Sequence, residues 1–250
     1  FVIEVVASGL IVVKQSTEPF GKFVNVVVLE GDQIKFVDER HSFVPGCPGV
    51  LKSLLGSGPA PSEGDGPDLL VLLSASMRGH GRGGALLIVP HGSPAWRESI
   101  VNPILYGLDR PFDELASLLA RHSAEPPVGL EWKDRVRHAV DAVGGLTAVD
   151  GATVMSDRYE VLAFGAKISR KRGSPQVERV VATEPVEGTV TTYVSPAELG
   201  GTRHLSAAQF VQDQHDAMAF VASQDGRFTI FQWSSAEGMV HAHRVEALLL

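Results

Sequence analysis

The feature that most constrains the fold lies near the C-terminal end, where two mostly apolar runs, Met218 to Ala222 and Phe228 to Trp233, flank Gln224-Asp225-Gly226. Asp-Gly between two such runs is the strongest short-range signal for a tight hairpin, because both residues tolerate the positive φ that the turn demands. A second hairpin is expected where Ala152 to Met155 and Glu160 to Phe164 flank Ser156-Asp157-Arg158. Between the two hairpins, Ser206 followed by Gln209 has capping-box spacing, so a helix is expected to start near Ser206 and to continue through Phe210, Val211 and Gln214 to Ala217. Strand pairs separated by a helix call for a sheet with helices packed on it.

The upstream chain extends this pattern. Val2 to Val6, Leu10 to Val13, Phe23 to Leu29 and Ile34 to Val37, with Gly31-Asp32 between the last two, predict a small antiparallel β unit over residues 1–38. Leu69, Leu70, Leu72, Leu73 and Met77 suggest a buried helix, and Ala85 to Val89 a buried strand. Ser93-Pro94 has the chemistry of a helix start, continued by Phe112, Leu115, Leu118 and Leu119 at helical spacing. From Trp132, the positions Val136, Ala139, Val140 and Val143 share one helical face, with Gly144-Gly145 as the expected stop. The Gly/Pro/Ser stretch from Gly56 to Pro67 marks a boundary between an N-terminal β-rich unit with its linker (1–66) and a larger domain (67–250). The fold class is α/β: a mixed β-sheet flanked by helices, with an N-terminal β-rich unit.

Composition limits the function. The 250 residues are 44% hydrophobic and 20% charged, enough for one large or two small cores, and the longest apolar segments are strand-length, so a soluble protein with no membrane partner is expected. The net charge of -7 argues against DNA or RNA, whose partners carry a basic surface. The single cysteine, Cys47, excludes an intramolecular disulfide and suits a reducing, cytoplasmic compartment. The chain opens on Phe1 in a strand-like run, and so reads as a fragment without a signal peptide.

Two segments carry candidate chemistry. Gly200-Gly201-Thr202-Arg203-His204 runs into the helix start, where backbone N–H groups and the helix dipole favour an anion, and the threonine hydroxyl, arginine fork and imidazole supply further donors. The alternative is an ordinary glycine turn with Arg203 paired to a nearby carboxylate, and local chemistry does not choose between them. Asp150-Gly151-Ala152 enters the first hairpin, a position suited to presenting a carboxylate to a metal ion or hydroxyl, although Asp-Gly alone is above all a turn signal. The cluster Lys167, Arg170, Lys171, Arg172 attracts phosphate or is simply a solvated loop. His241 and His243 fall on one strand face and would need His204 or His215 to form a metal site; surface histidines are the plainer expectation. Ser74, Ser76 and Ser93 lack the context of a hydrolase nucleophile, and no P-loop motif is present.

Taken in order, Asp-Gly-Ala before a hairpin, Gly-Thr-Arg-His before a helix, Asp216-Ala217 before a buried strand and the turn Ser223-Gln224-Asp225-Gly226 resemble the diadenylate cyclase domain over roughly the last 100 residues. The resemblance implies that Asp150 holds Mg²⁺ or Mn²⁺ and activates a hydroxyl, with Asp225 as the remaining catalytic acid. It also implies that Gly201, Thr202, Arg203 and His204 cradle phosphate, that Gly151, Ala152 and Ser223 line the nucleotide pocket, and that two protomers meet face to face. The chain departs from the family in three places. Leu205 stands where a second arginine is usual, Gln224-Asp225 where two glutamates are usual, and Ala166-Lys167-Ile168 where a Leu-Pro pair is usual; the interval from His204 to Asp216 is also slightly longer. Losing a charge-stabilising donor commonly costs ~100-fold in rate, whereas binding survives on the remaining contacts. Arg78-Gly79-His80-Gly81-Arg82-Gly83-Gly84, with Trp96 and Pro103, further resembles the prokaryotic DACNV type, which is expected to sense ligands in signalling. The expected function is therefore a sensor of ATP or a cyclic dinucleotide; the alternatives are an active diadenylate cyclase making cyclic di-AMP, and a structural or interaction module.

Overall fold

The computed structural model describes residues 1–17, 22–43, 47–56, 68–124 and 130–250. The chain opens with β1 (Val2–Ala7), β2 (Leu10–Thr17), β3 (Lys22–Glu30) and β4 (Gln33–Phe36), an antiparallel four-stranded meander in sequence order, as the β-branched runs predict. A short 3-10 turn (Glu39–Phe43) and α1 (Gly49–Leu54) follow. From residue 57 to residue 67 the expected linker lies outside the described residues.

The larger unit contains α2 (Leu69–Gly79), β5 (Gly84–Val89), β6 (Tyr106–Phe112), α3 (Glu114–Ala124), α4 (Leu130–Leu146), β7 (Ala152–Ser156) and β8 (Val161–Ala166). It continues with β9 (Val180–Thr183), β10 (Thr192–Val194), α5 (Pro196–Asp213), β11 (Met218–Ala222), β12 (Phe228–Ser234) and β13 (Met239–Arg244). Its nine strands form one sheet in the order β10-β9-β13-β12-β11-β5-β7-β8-β6. The pairs β5·β7 and β13·β9 are parallel and the others antiparallel, so the sheet is mixed. The protein is an α/β fold with an N-terminal β-rich unit.

Residues on β5 alternate between two cores, as a strand buried on both faces must. Leu86 and Ile88 pack with Leu73 and Met77 of α2, Leu115 of α3 and Val136 and Val140 of α4. Ala85, Leu87 and Val89 pack with Ala207, Phe210 and Val211 of α5 on the other face. The N-terminal sheet docks through a third, small cluster of Val12, Val28, Val186 and Ala247, and Asn25 Nδ2 donates to the carbonyls of Ala247 (2.9 Å) and Leu250 (3.2 Å). Among the described residues no helix is long and apolar enough to cross a membrane.

Three local expectations change. The Ser93-Pro94 start yields only a 3-10 turn, Ala95–Ser99, and Phe112 ends β6 rather than joining α3; the helical spacing from Leu115 belongs to a separate element. Helix α4 runs through Gly144-Gly145 to Leu146, because Gly144 is where α4 crosses α2: a β-carbon there would lie 2.4 Å from Ser76 Oγ. The third change concerns α5. Its start is Ser195, not Ser206, with Pro196 in the first turn and the Ser195 N–H donating to Glu198 Oε1 at 3.3 Å. Ser206 sits inside the helix, its hydroxyl donating to the Arg203 carbonyl at 3.1 Å, and the helix ends at Asp213, with Gln214 as its cap.

Candidate functional site

Helix α5 is broken at the glycine pair. Gly201 has φ 77° and ψ -159°, so the helix is interrupted there and resumes at Thr202. Gly200 is required for space: a β-carbon on it would lie 2.4 Å from the His204 ring. The ring closes over the break, with Nδ1 2.9 Å from the Gly200 carbonyl and Nε2 3.3 Å from Thr229 Oγ1 on β12. Since a carbonyl only accepts, Nδ1 carries the proton and Nε2 accepts from the threonine hydroxyl. Burial holds the imidazole below its usual pKa, against the opposing pull of the Gly200 carbonyl bond. His204 is thus a neutral brace, fully buried, with both ring nitrogens engaged inside the fold, unlike the exposed Thr202 and Arg203 beside it.

Thr202 and Arg203 face outward beyond the break and are exposed. The Arg203 guanidinium lies over Gly83, where a β-carbon would be 3.0 Å from Nη1 and 3.2 Å from the Ala222 carbonyl. Arg203 forms no ion pair among the described residues, so the reading in which a neighbouring carboxylate absorbs its charge does not hold there. The sheet brings the other segments to the same margin. Ala85 is registered against Ala152 of β7 and Val221 of β11, and Ala152 against Ala166 of β8. Adjacent strands are about 5 Å apart, so the chain entering β7 at Asp150 and the turn leaving β11 at Ser223 lie on the order of 10 Å from each other.

Along this margin Asp150 is exposed and forms no ion pair among the described residues. Gly151 backs onto Gly165, and Ala152 is buried in the core under α5, so neither presents a side chain to solvent. Ser223 closes the hairpin turn through its backbone, accepting from Gly226 N–H at 3.2 Å. Asp225 is exposed but engaged by Arg227, at 3.2 Å from Nε. Gln224 Nε2 reaches the Arg82 carbonyl at 3.3 Å, tying the glycine-rich loop to this turn. In the last turn of α2, Arg78 donates to the carbonyls of Gly226 and Leu249, both at 3.2 Å, and so acts as a structural clamp.

A cleft of roughly 250 Å³ opens beside the resumed helix, between Ile168, Arg170 and Gln176 on one wall and Thr202, Leu205 and Ser206 on the other. It is smaller than the ~300 Å³ at which small-molecule pockets usually begin. Sequence reasoning did not find this cleft, because its far wall comes from an irregular segment without periodicity.

Among the described residues no three His, Cys, Asp or Glu side chains cluster as metal ligands. A Mg²⁺ held by one carboxylate and ligand phosphates needs no such cluster, and exposed Asp150 fits that mode. His241 and His243 are not surface histidines: they are 6% and 3% exposed. The chain matches no protein-family model and no curated protein sequence.

Proposed function

We propose that the protein binds a purine nucleotide or cyclic dinucleotide at the margin formed by Thr202, Arg203, Gly83 and the Ser223–Asp225 turn, and that its role is sensing. The observation that carries this reading is the Arg203 guanidinium, free of any carboxylate among the described residues and lying over Gly83, while its chain neighbour Thr202 lines an open cleft. A positioned arginine without an internal partner favours a phosphate oxygen, which its planar fork matches geometrically. The order of motifs shared with diadenylate cyclases adds the nucleotide as the ligand class.

Exposed, unpaired Asp150 on the same margin favours one competing reading, an active diadenylate cyclase. There Asp150 would hold a divalent cation, which neutralises phosphate charge and acidifies a hydroxyl, and a second copy of the chain would supply the other ATP. Against it stand Leu205, packed on the core, and Asp225, engaged by Arg227. Incubation with ATP and Mn²⁺, with the product scored by mass spectrometry, separates the two. The sensor reading expects ATP or cyclic di-AMP to bind without turnover. Cyclic di-AMP formation that vanishes in Asp150→Asn would overturn it, and absence of both binding and product would leave an interaction module.

A further inference from the structure

We propose that Arg170 is a ligand-contacting residue: from across the cleft it supplies a second positive charge to the anionic ligand held by Arg203. The inference rests on the reading of the Arg203 margin as an anion site, and adds a residue to it.

The cleft has an apolar floor, because Ile168 and Leu205 both pack their side chains down onto the core under α5. Leucine at 205 therefore offers nothing polar to a ligand. Gln176, Thr202 and Ser206 supply neutral polar groups at the rim, and Arg170 is the cation among the lining residues. Such a lining suits a ligand with a flat or apolar body and a negative charge on the Arg170 side.

The arm that carries Arg170 is held in place. Ile168 bridges to Ile100, and Ser169 N–H donates to the Ser99 carbonyl at 3.0 Å. Past Arg170, the Asp213 carboxylate at the end of α5 accepts from Lys171 N–H at 2.7 Å and from the Ser174 hydroxyl. Gln209 completes the staple, accepting from Val177 N–H at 2.8 Å and donating to the Pro175 carbonyl at 3.1 Å. The arm is thus fastened on both sides of Arg170, to Ser99 and Ile100 before it and, after it, to the helix that carries Thr202 and Arg203. Its two adjacent cations differ in state. Lys171 is paired with Glu98 at 2.8 Å, whereas the exposed Arg170 side chain has no hydrogen bond or ion pair among the described residues. The fastened arm spares the backbone part of the ordering cost when the guanidinium takes up an anion, leaving only that of the side chain.

The test is equilibrium binding of ATP, cyclic di-AMP and inorganic tripolyphosphate to the wild-type chain and to Arg170→Ala, Arg170→Lys, Lys171→Ala and Arg203→Ala, each checked for an unchanged melting temperature. The expected result is a loss of about ten-fold or more in affinity for Arg170→Ala, partial recovery in Arg170→Lys, and no change in Lys171→Ala. Arg170→Ala binding as tightly as wild type while Arg203→Ala fails would overturn this inference and leave the Arg203 site standing. Equal losses in Arg170→Ala and Lys171→Ala would also overturn it, as bulk electrostatics. Binding of none of the three probes by the wild-type chain would overturn both.

Discussion

A methyl group added to Gly83 would sit 3.0 Å from Nη1 of Arg203, tighter than ordinary contact and at a backbone φ of 70° that side chains rarely adopt. Arg203 therefore owes its course across the sheet margin to a missing side chain on a neighbouring loop. Gly83→Ala is expected to cost ~1–2 kcal/mol in stability from the left-handed backbone alone. It should also weaken nucleotide binding by displacing the guanidinium. Denaturant unfolding and a binding titration on the same variant check both effects, and unchanged affinity would mean that Arg203 does not depend on Gly83.

Gly200→Ala should act through the core rather than the ligand. The added carbon would lie 2.4 Å from the His204 ring, which has no room to retreat because it is fully buried. Overpacking of this kind costs ~1–3 kcal/mol. The loss of the His204 bonds to Gly200 and Thr229 should shift the imidazole resonances seen by NMR, and preserved shifts with full stability would refute the bracing role.

His243 makes stability pH-dependent. Burial, with smaller contributions from His241 and His41, pushes its pKa down to about 3, and its Nε2 lies buried without a hydrogen-bond partner. The unfolded chain takes up a proton near pH 6.5, which the folded chain refuses until about pH 3. Across that window the unfolded state holds more protons, so this contribution is complete above pH 6.5 and is lost progressively as pH falls, by at most ~1.4 kcal/mol per pH unit. His243 Nδ1 lies 2.9 Å from Thr183 Oγ1, a bond that His243→Asn can keep, and this variant should flatten the profile. A stability difference between wild type and variant that stays constant from pH 7 to pH 4 would contradict the assignment.

Asp150→Asn should leave fold and melting temperature unchanged, since the side chain is exposed and forms no ion pair among the described residues. If a divalent cation assists nucleotide binding, the variant should lose the Mg²⁺-dependent part of the affinity and keep the rest. A drop in thermal stability would instead place Asp150 in the structural framework.

Much of the fold was legible because alternation and turn chemistry are local. The Asp225-Gly226 hairpin, the four N-terminal strands and the buried strand at Ala85–Val89 all follow from short-range pattern. The start of α5 was equally local: Ser195-Pro196 with Glu198 carries a capping box and a first-turn proline, yet Ser206 with Gln209 offers the same spacing inside the helix. Sequence periodicity does not distinguish two boxes on one helix when glycines separate them. The burial of His241 and His243 was not legible, since it depends on tertiary packing against β13 that no local pattern encodes. Arg203, Thr202 and Asp150 became candidates through the order of motifs that resembles a known family, because local chemistry alone left a glycine turn and an Asp-Gly turn as equal or better readings. The fastening of the Arg170 arm was not legible, because Gln209 and Asp213 act on segments 32 to 42 residues distant.

The most direct measurement is a calorimetric titration of ATP and cyclic di-AMP into the wild-type chain and Arg203→Ala, at fixed low salt and without turnover. Saturable binding by wild type that is lost in a fully folded Arg203→Ala variant is the predicted result. Equal affinity in the two proteins, or no binding by wild type, would contradict a nucleotide site at Arg203.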